Sequence, residues 1–163
     1  MKNNKMEKLG KHNDRMIYYL NIKESISWET ELPHDYWLVL PIGHKKDIEL
    51  IKKVSRICLD KNVNYMCALG LECELIHDTF EEVLVDRRIE KGLSVDSPDD
   101  FKKEPMTTWH EDFGEGVWFS LTTAFNDYKK IKKVVCLDLT DKGEKEKLLD
   151  FIDKINKGWL PDD

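Results

Sequence analysis

At 163 residues, 40% hydrophobic and 36% charged, the chain is long enough to bury one domain's core without a disulfide or metal staple. It is also too apolar to be disordered beyond its ends. The 32 acidic and 26 basic side chains leave a formal net charge of -6, which argues against nucleic acid as a partner, because phosphate neutralisation needs a dominant basic face.

Residues 1–14 are polar and read as a flexible N-terminal tail, leaving 15–160 as a single domain. Met16 to Ile22 has the aromatic and branched content of a short strand, though with poor alternation, and reads as an extra strand at the sheet's edge. Tyr36 to Pro41 is a continuous apolar run, the pattern of a strand covered on both faces, and it leads to Gly43 and His44. From Asp47 to Leu59, Ile48, Ile51, Val54, Ile57 and Cys58 recur at helical spacing. Val63 to Leu69 is the next apolar strand, stopped by Gly70.

A second helix begins at Glu72, with Leu75, Ile76, Thr79, Phe80 and Val83 on one side and Glu72 and Glu74 in its first turn, where acids suit the helix dipole. Val83 to Ile89 either continues it or forms a short extended piece. Ser94 to Glu104 is an acidic stretch of turn formers, long enough for a flap. Met106 to His110 reads as a strand, Gly114 to Phe125 as a helix, Val134 to Leu139 as a strand, and Leu148 to Ile155 as a final helix closed by Gly158.

This alternation predicts an α/β fold: a single three-layer domain with a mainly parallel sheet of four to five strands, Rossmann-like or flavodoxin-like. Ligands of such sheets sit beyond the carboxyl ends of the strands. That edge collects His44, Gly70 to Cys73, His110 to Asp112 and Asp138 to Asp141, with His77 and Asp78 one turn along the second helix.

His110, His77, Asp78 and Glu111 are therefore the candidate catalytic residues, a histidine acting as general base or metal ligand with a carboxylate orienting it. Cys73, Glu74, Thr107, Thr108 and Asp112 are the candidate ligand-binding residues. A divalent metal would draw on His77, Asp78, His110 and Asp112, although no HExxH, CxxC or HxH spacing is present. Cys73, four residues before His77 in a helix first turn, is either a nucleophile or a small residue packing the helix start. Trp109 reads as core, and Arg87-Arg88 as a solvated helix face or a partner contact.

No GxGxxG and no GxxxxGK is present, so the sequence names no cofactor and disfavours nucleotides. The four cysteines, Cys58, Cys67, Cys73 and Cys136, lack metal spacing and read as reduced thiols. With no apolar run near the ~18 residues of a membrane span, the chain is expected to be cytoplasmic and not membrane-bound.

The segments Gly70-x-x-Cys73-Glu74-x-x-His77-Asp78-x-x-x-Glu82 and Met106-Thr107-Thr108-Trp109-His110-Glu111-Asp112, followed by Trp118-Phe119, resemble those of an uncharacterised bacterial family of short α/β proteins. The likeness runs from about Met16 to the last helix and implies shared positions without an activity.

Three functions compete. The first is a binding or accessory module with a protein partner, of the defence or toxin-immunity kind. The second is a small hydrolase or transferase, with or without a metal. The third treats His77 and His110 as fold determinants bonded across the core. Oligomeric state stays open.

Overall fold

In the computed structural model, which describes residues 5–43, 46–93 and 104–162, one mixed sheet carries helices on both faces. The strands are β1 (Glu7–His12), β2 (Arg15–Asn21), β3 (Trp37–Gly43), β4 (Tyr65–Gly70), β5 (Met106–His110) and β6 (Lys133–Asp138). The helices are α1 (Trp28–Glu31), α2 (Ile48–Asp60), α3 (Cys73–Glu90), α4 (Phe113–Thr122) and α5 (Lys145–Asn156). The sheet order is β1-β2-β6-β3-β4-β5; β1 is antiparallel to β2, and every other pair is parallel.

The sheet thus has six strands where four to five were expected, and the difference lies at the amino end. Residues 7–12, expected to belong to a flexible tail, form β1. An edge strand needs little apolar content, and here Leu9 packs into one core layer while Met6, just before the strand, packs into the other. The strand is pinned to α5 by Lys145–Glu7 at 2.7 Å and by His12 Nδ1 and Asn156 Oδ1 at 2.7 Å. Asn13 takes a positive φ of 52° in the hairpin turn, a conformation asparagine tolerates. With β1 outside it, β2 lies inside the sheet and not at its edge.

Strand residues alternate between two cores. Trp37, Val39, Met66, Ala68, Val135 and Leu137 face α1, α2 and α3, whereas Leu38, Leu40, Cys67, Leu69, Val134 and Cys136 face α4 and α5. Being covered on both sides explains why β3, β4 and β6 read as unbroken apolar runs. Burying the polar parts of Trp37 is made acceptable by two bonds: its backbone N–H donates to Asn64 Oδ1 at 3.1 Å and its indole N–H to the Lys61 carbonyl at 3.0 Å.

The segment Val83 to Ile89 continues α3. Helix α4 ends at Thr122, before the expected Phe125, because the N–H groups of Thr123 and Ala124 both turn back to the Phe119 carbonyl at 2.9 Å. The Arg15 guanidinium then donates to the carbonyls of Ser120 and Ala124, and Phe125 is left exposed. Arg88 is no solvated residue: it is buried and paired with Glu104 at 2.8 Å. Among the described residues no helix is long and apolar enough to cross a membrane. His44 and residues 94–103, the expected flap, lie outside the described residues.

Candidate functional site: a cleft at the carboxyl edge

The connections after β3 and β4 lead to helices on one face, and those after β5 and β6 lead to helices on the other. Neighbouring loops therefore diverge at β6/β3 and at β4/β5, which opens the strand ends between them. A cleft of about 830 Å³ lies there, bounded by Gly43 at the end of β3, Gly70 at the end of β4, Glu111 and Phe113 after β5, and Thr140 and Glu144 after β6.

Two glycines shape its floor. Gly70 has a φ of +96°, and a Cβ on it would stand 2.3 Å from the Gly43 carbonyl oxygen. A Cβ on Gly43 would meet Ile76 Cδ1 at 2.7 Å. The end of β4 can approach β3, and the end of β3 can approach α3, this closely only because neither position has a side chain.

Five carboxylates line the cleft, those of Glu72, Glu74, Asp78, Glu111 and Glu144, against the two lysines Lys46 and Lys147. Lys147 is engaged at its base, with Nζ 4.3 Å from the Phe113 ring centroid. Between the charges are Ile42, Leu75 and Phe113, with the 82% exposed Leu71 on the rim. The cleft is an acidic rim over an apolar floor.

The cleft brings together Cys73, Glu74, Asp78 and Glu111 of the sequence-based candidates. Cys73 is buried and its thiol is pushed up, first by burial and further by the nearby Glu111 and Glu74 carboxylates, so it is held as a neutral thiol. Burial likewise pushes Cys58 and Cys67 up to about 12, and Cys136 also upward. All four thiols are free and buried. In a disulfide-exchange reagent at mildly alkaline pH, all four should stay unreacted in the folded protein and react together on unfolding. A Cys73 that reacted as fast as a free thiol would restore the nucleophile reading.

The two histidines are not brought together. Thr107 and His110 have opposite parity on β5, so their side chains leave opposite faces of the sheet. On the α3 face, Thr107 Oγ1 donates to Glu81 Oε1 and lies 3.2 Å from His77 Nε2, while His77 Nδ1 is 3.1 Å from Asp78 Oδ1. On the other face, His110 packs at a tilt against Phe119 with ring centroids 4.8 Å apart and has Glu115 Oε1 3.3 Å from Nδ1. Its Nε2 is buried and has no hydrogen-bond partner among the described residues. The bond between His77 and His110 expected of a core network is therefore absent, each ring being engaged elsewhere.

Thr108 and Asp112 also have structural partners. Tyr65 donates its hydroxyl to Thr108 Oγ1 at 3.3 Å, and Asp112 caps α4 by accepting the Glu115 N–H at 2.8 Å. Trp109, expected in the core, is 38% exposed. Among the described residues no group of three or more His, Cys, Asp and Glu is placed to hold a metal ion.

Sequence reasoning noted Asp138 only as one of several polar residues at the edge, but the structure makes it the organiser of the β6–α5 turn. It is fully buried and accepts four hydrogen bonds: Oδ1 from the Thr140 N–H at 2.8 Å and hydroxyl at 2.6 Å, Oδ2 from the Tyr19 hydroxyl at 2.5 Å and the Glu144 N–H at 2.6 Å. Burial and the bond to Asp138 push the Tyr19 hydroxyl well above its ordinary value. The available signal was a lone acid closing an apolar strand, Val-Val-Cys-Leu-Asp, with turn residues after it.

No curated protein and no solved structure matches the chain at a significant level. A family profile does match, over residues 17–155, from β2 into α5. The chain belongs to that family, whose description is Domain of unknown function (DUF7684).

Proposed function

We propose that the protein is a binding module that takes a cationic group of a protein partner into the carboxyl-edge cleft. The observation that carries this reading is the lining itself, five carboxylates against two lysines around an apolar floor. Such a lining favours a lysine or arginine side chain whose apolar stem rests on Ile42 and Leu75 while its charge meets the rim. The partner class that matches is a basic protein face, as in a toxin or nuclease held by an accessory or immunity protein of a bacterial defence system. Four unpaired thiols suit a cytoplasmic setting for this work.

The test is a titration of isotope-labelled protein with an arginine-rich peptide, and with a glutamate-rich peptide of the same length as control. Amide shifts confined to Gly70–Leu75 and Glu111, seen only with the arginine peptide and weakened by salt, are the expected result. The paired substitution Glu74→Lys and Glu111→Lys should weaken that binding by roughly tenfold or more. Equal shifts with both peptides, or none in the cleft, would sink the reading.

One observation favours the enzymatic alternative, a small hydrolase or transferase. Asp78 lines the cleft and is bonded to His77, so a histidine–carboxylate pair stands near the rim. Turnover in a panel of ester, phosphate and nucleic-acid substrates, lost in His77→Gln, would establish that alternative in place of the binding reading.

A further inference from the structure

The two edges of the sheet are built differently. On β1, the outer edge carries Lys8 and Lys11, and its register with β2 shifts between Lys8 and Gly10, a bulge that spoils pairing with another strand. On β5 neither device is present. Its five residues, Met-Thr-Thr-Trp-His, contain no lysine, proline or acid, and its pairing to β4 is regular from Met106 to His110. Two of its large side chains are exposed to solvent, Met106 at 54% and Trp109 at 38%.

Which backbone groups this edge offers follows from the ladder. The Met106 N–H donates inward to the Asn64 carbonyl, so Met106, Thr108 and His110 use their peptide groups toward β4. By alternation, the N–H and C=O of Thr107 and Trp109 point outward, where no strand among the described residues pairs with them.

We propose that this edge is a homodimer interface, in which two copies of the chain pair their β5 strands antiparallel about a two-fold axis at Thr108. That register sets Thr107 of each copy opposite Trp109 of the other, so the four outward donors and four outward acceptors form four hydrogen bonds across the axis, with none left over on these residues. A register centred on Thr107 or on Trp109 satisfies only one of the two symmetric pairs in this way.

Side chains and charges agree with the same axis. On one face each Trp109 packs beside Thr107 of the other copy, and on the other each Met106 meets His110. Val85 lies one turn beyond Glu81, which bonds Thr107, and adds exposed apolar surface on the same side of α3. The net charge of -6 repels two copies in general, but of the acids flanking β5, Glu104 is paired with Arg88, Asp112 caps α4 and Glu111 lines the carboxyl-edge cleft. The other edge of the sheet, with its exposed lysines, provides no such self-complementary surface.

Sedimentation of the full chain from micromolar to millimolar concentration tests this, with hydrogen exchange of the Thr107 and Trp109 amides read alongside. A reversible dimer in which both amides become protected is the expected result. Trp109→Pro removes one outward N–H, and Met106→Lys places on β5 the kind of charge that β1 already carries; each should weaken the dimer by roughly tenfold or more. Should the proline variant fail to fold, the lysine variant, at a solvent-exposed position, carries the test alone. A wild-type chain that stays monomeric, a dimer that the folded variants leave unchanged, or one whose Thr107 and Trp109 amides exchange freely would overturn the proposal.

Discussion

Asp138→Ala should cost about 3–5 kcal/mol, a large share of the stability of a domain this size. The residue is fully buried, and its removal strands a hydroxyl from Tyr19, a hydroxyl and an N–H from Thr140, and the N–H of Glu144. The cost comes from these orphaned donors more than from the lost carboxylate, because each was desolvated to reach it. Asp138→Asn should recover little, since its amide turns an N–H₂ toward two of the donors. Tyr19→Phe, which removes a single donor and leaves the other three bonds in place, should cost about 1 kcal/mol. Urea denaturation of the three variants checks the order, and an Asp138→Ala protein within about 1 kcal/mol of wild type would contradict it. The loss should also reach the cleft, because Thr140 and Glu144 line it from this turn.

The second large effect belongs to Gly70→Ala, expected to cost about 3 kcal/mol or more by the same measurement. Two penalties act together: a left-handed backbone at φ +96°, and a methyl placed 2.3 Å from a carbonyl oxygen that cannot rotate away. Gly92→Ala separates them. Gly92 also has a positive φ, +67°, but nothing among the described residues lies within 4 Å of its added Cβ, so that substitution should cost about 1 kcal/mol from backbone strain alone. If the two variants proved equally stable, the close approach of β3 and β4 would have no energetic weight. Because Gly43 and Gly70 both bound the cleft, Gly70→Ala should disturb the shape of the cleft as well as the fold.

The central architecture was legible in the sequence because β3, β4 and β6 are buried on both faces and α2 and α5 each have one apolar side. β5 was legible as Met106 to His110, with Pro105 before it, and the strand has those bounds. β1 was hidden by its composition, since a strand at the edge of a sheet packs few of its side chains. The sheet order was beyond reach: β2 pairs with β6, from the far end of the chain, and nothing in residues 15–21 announces that partner.

For the site, position was more readable than role. Strand-end placement located Cys73, Glu74, Asp78 and Glu111 on the cleft. The separation of His77 from His110 depends on counting parity along β5, where Thr107 and His110 must leave opposite faces. The office of Asp138 depends on Tyr19, which only the folded chain brings within 2.5 Å.

The strand order also has a consequence for synthesis. β6, the sixth strand in the chain, fills the slot between β2 and β3 near the middle of the sheet. While the chain emerges from the ribosome, β2 and β3 must wait with that slot empty until residues 133–138 arrive, exposing two apolar strand edges side by side. Closure then joins segments more than a hundred residues apart, a slow step in folding. A nascent chain halted before β6 is the form of this protein most in need of a chaperone.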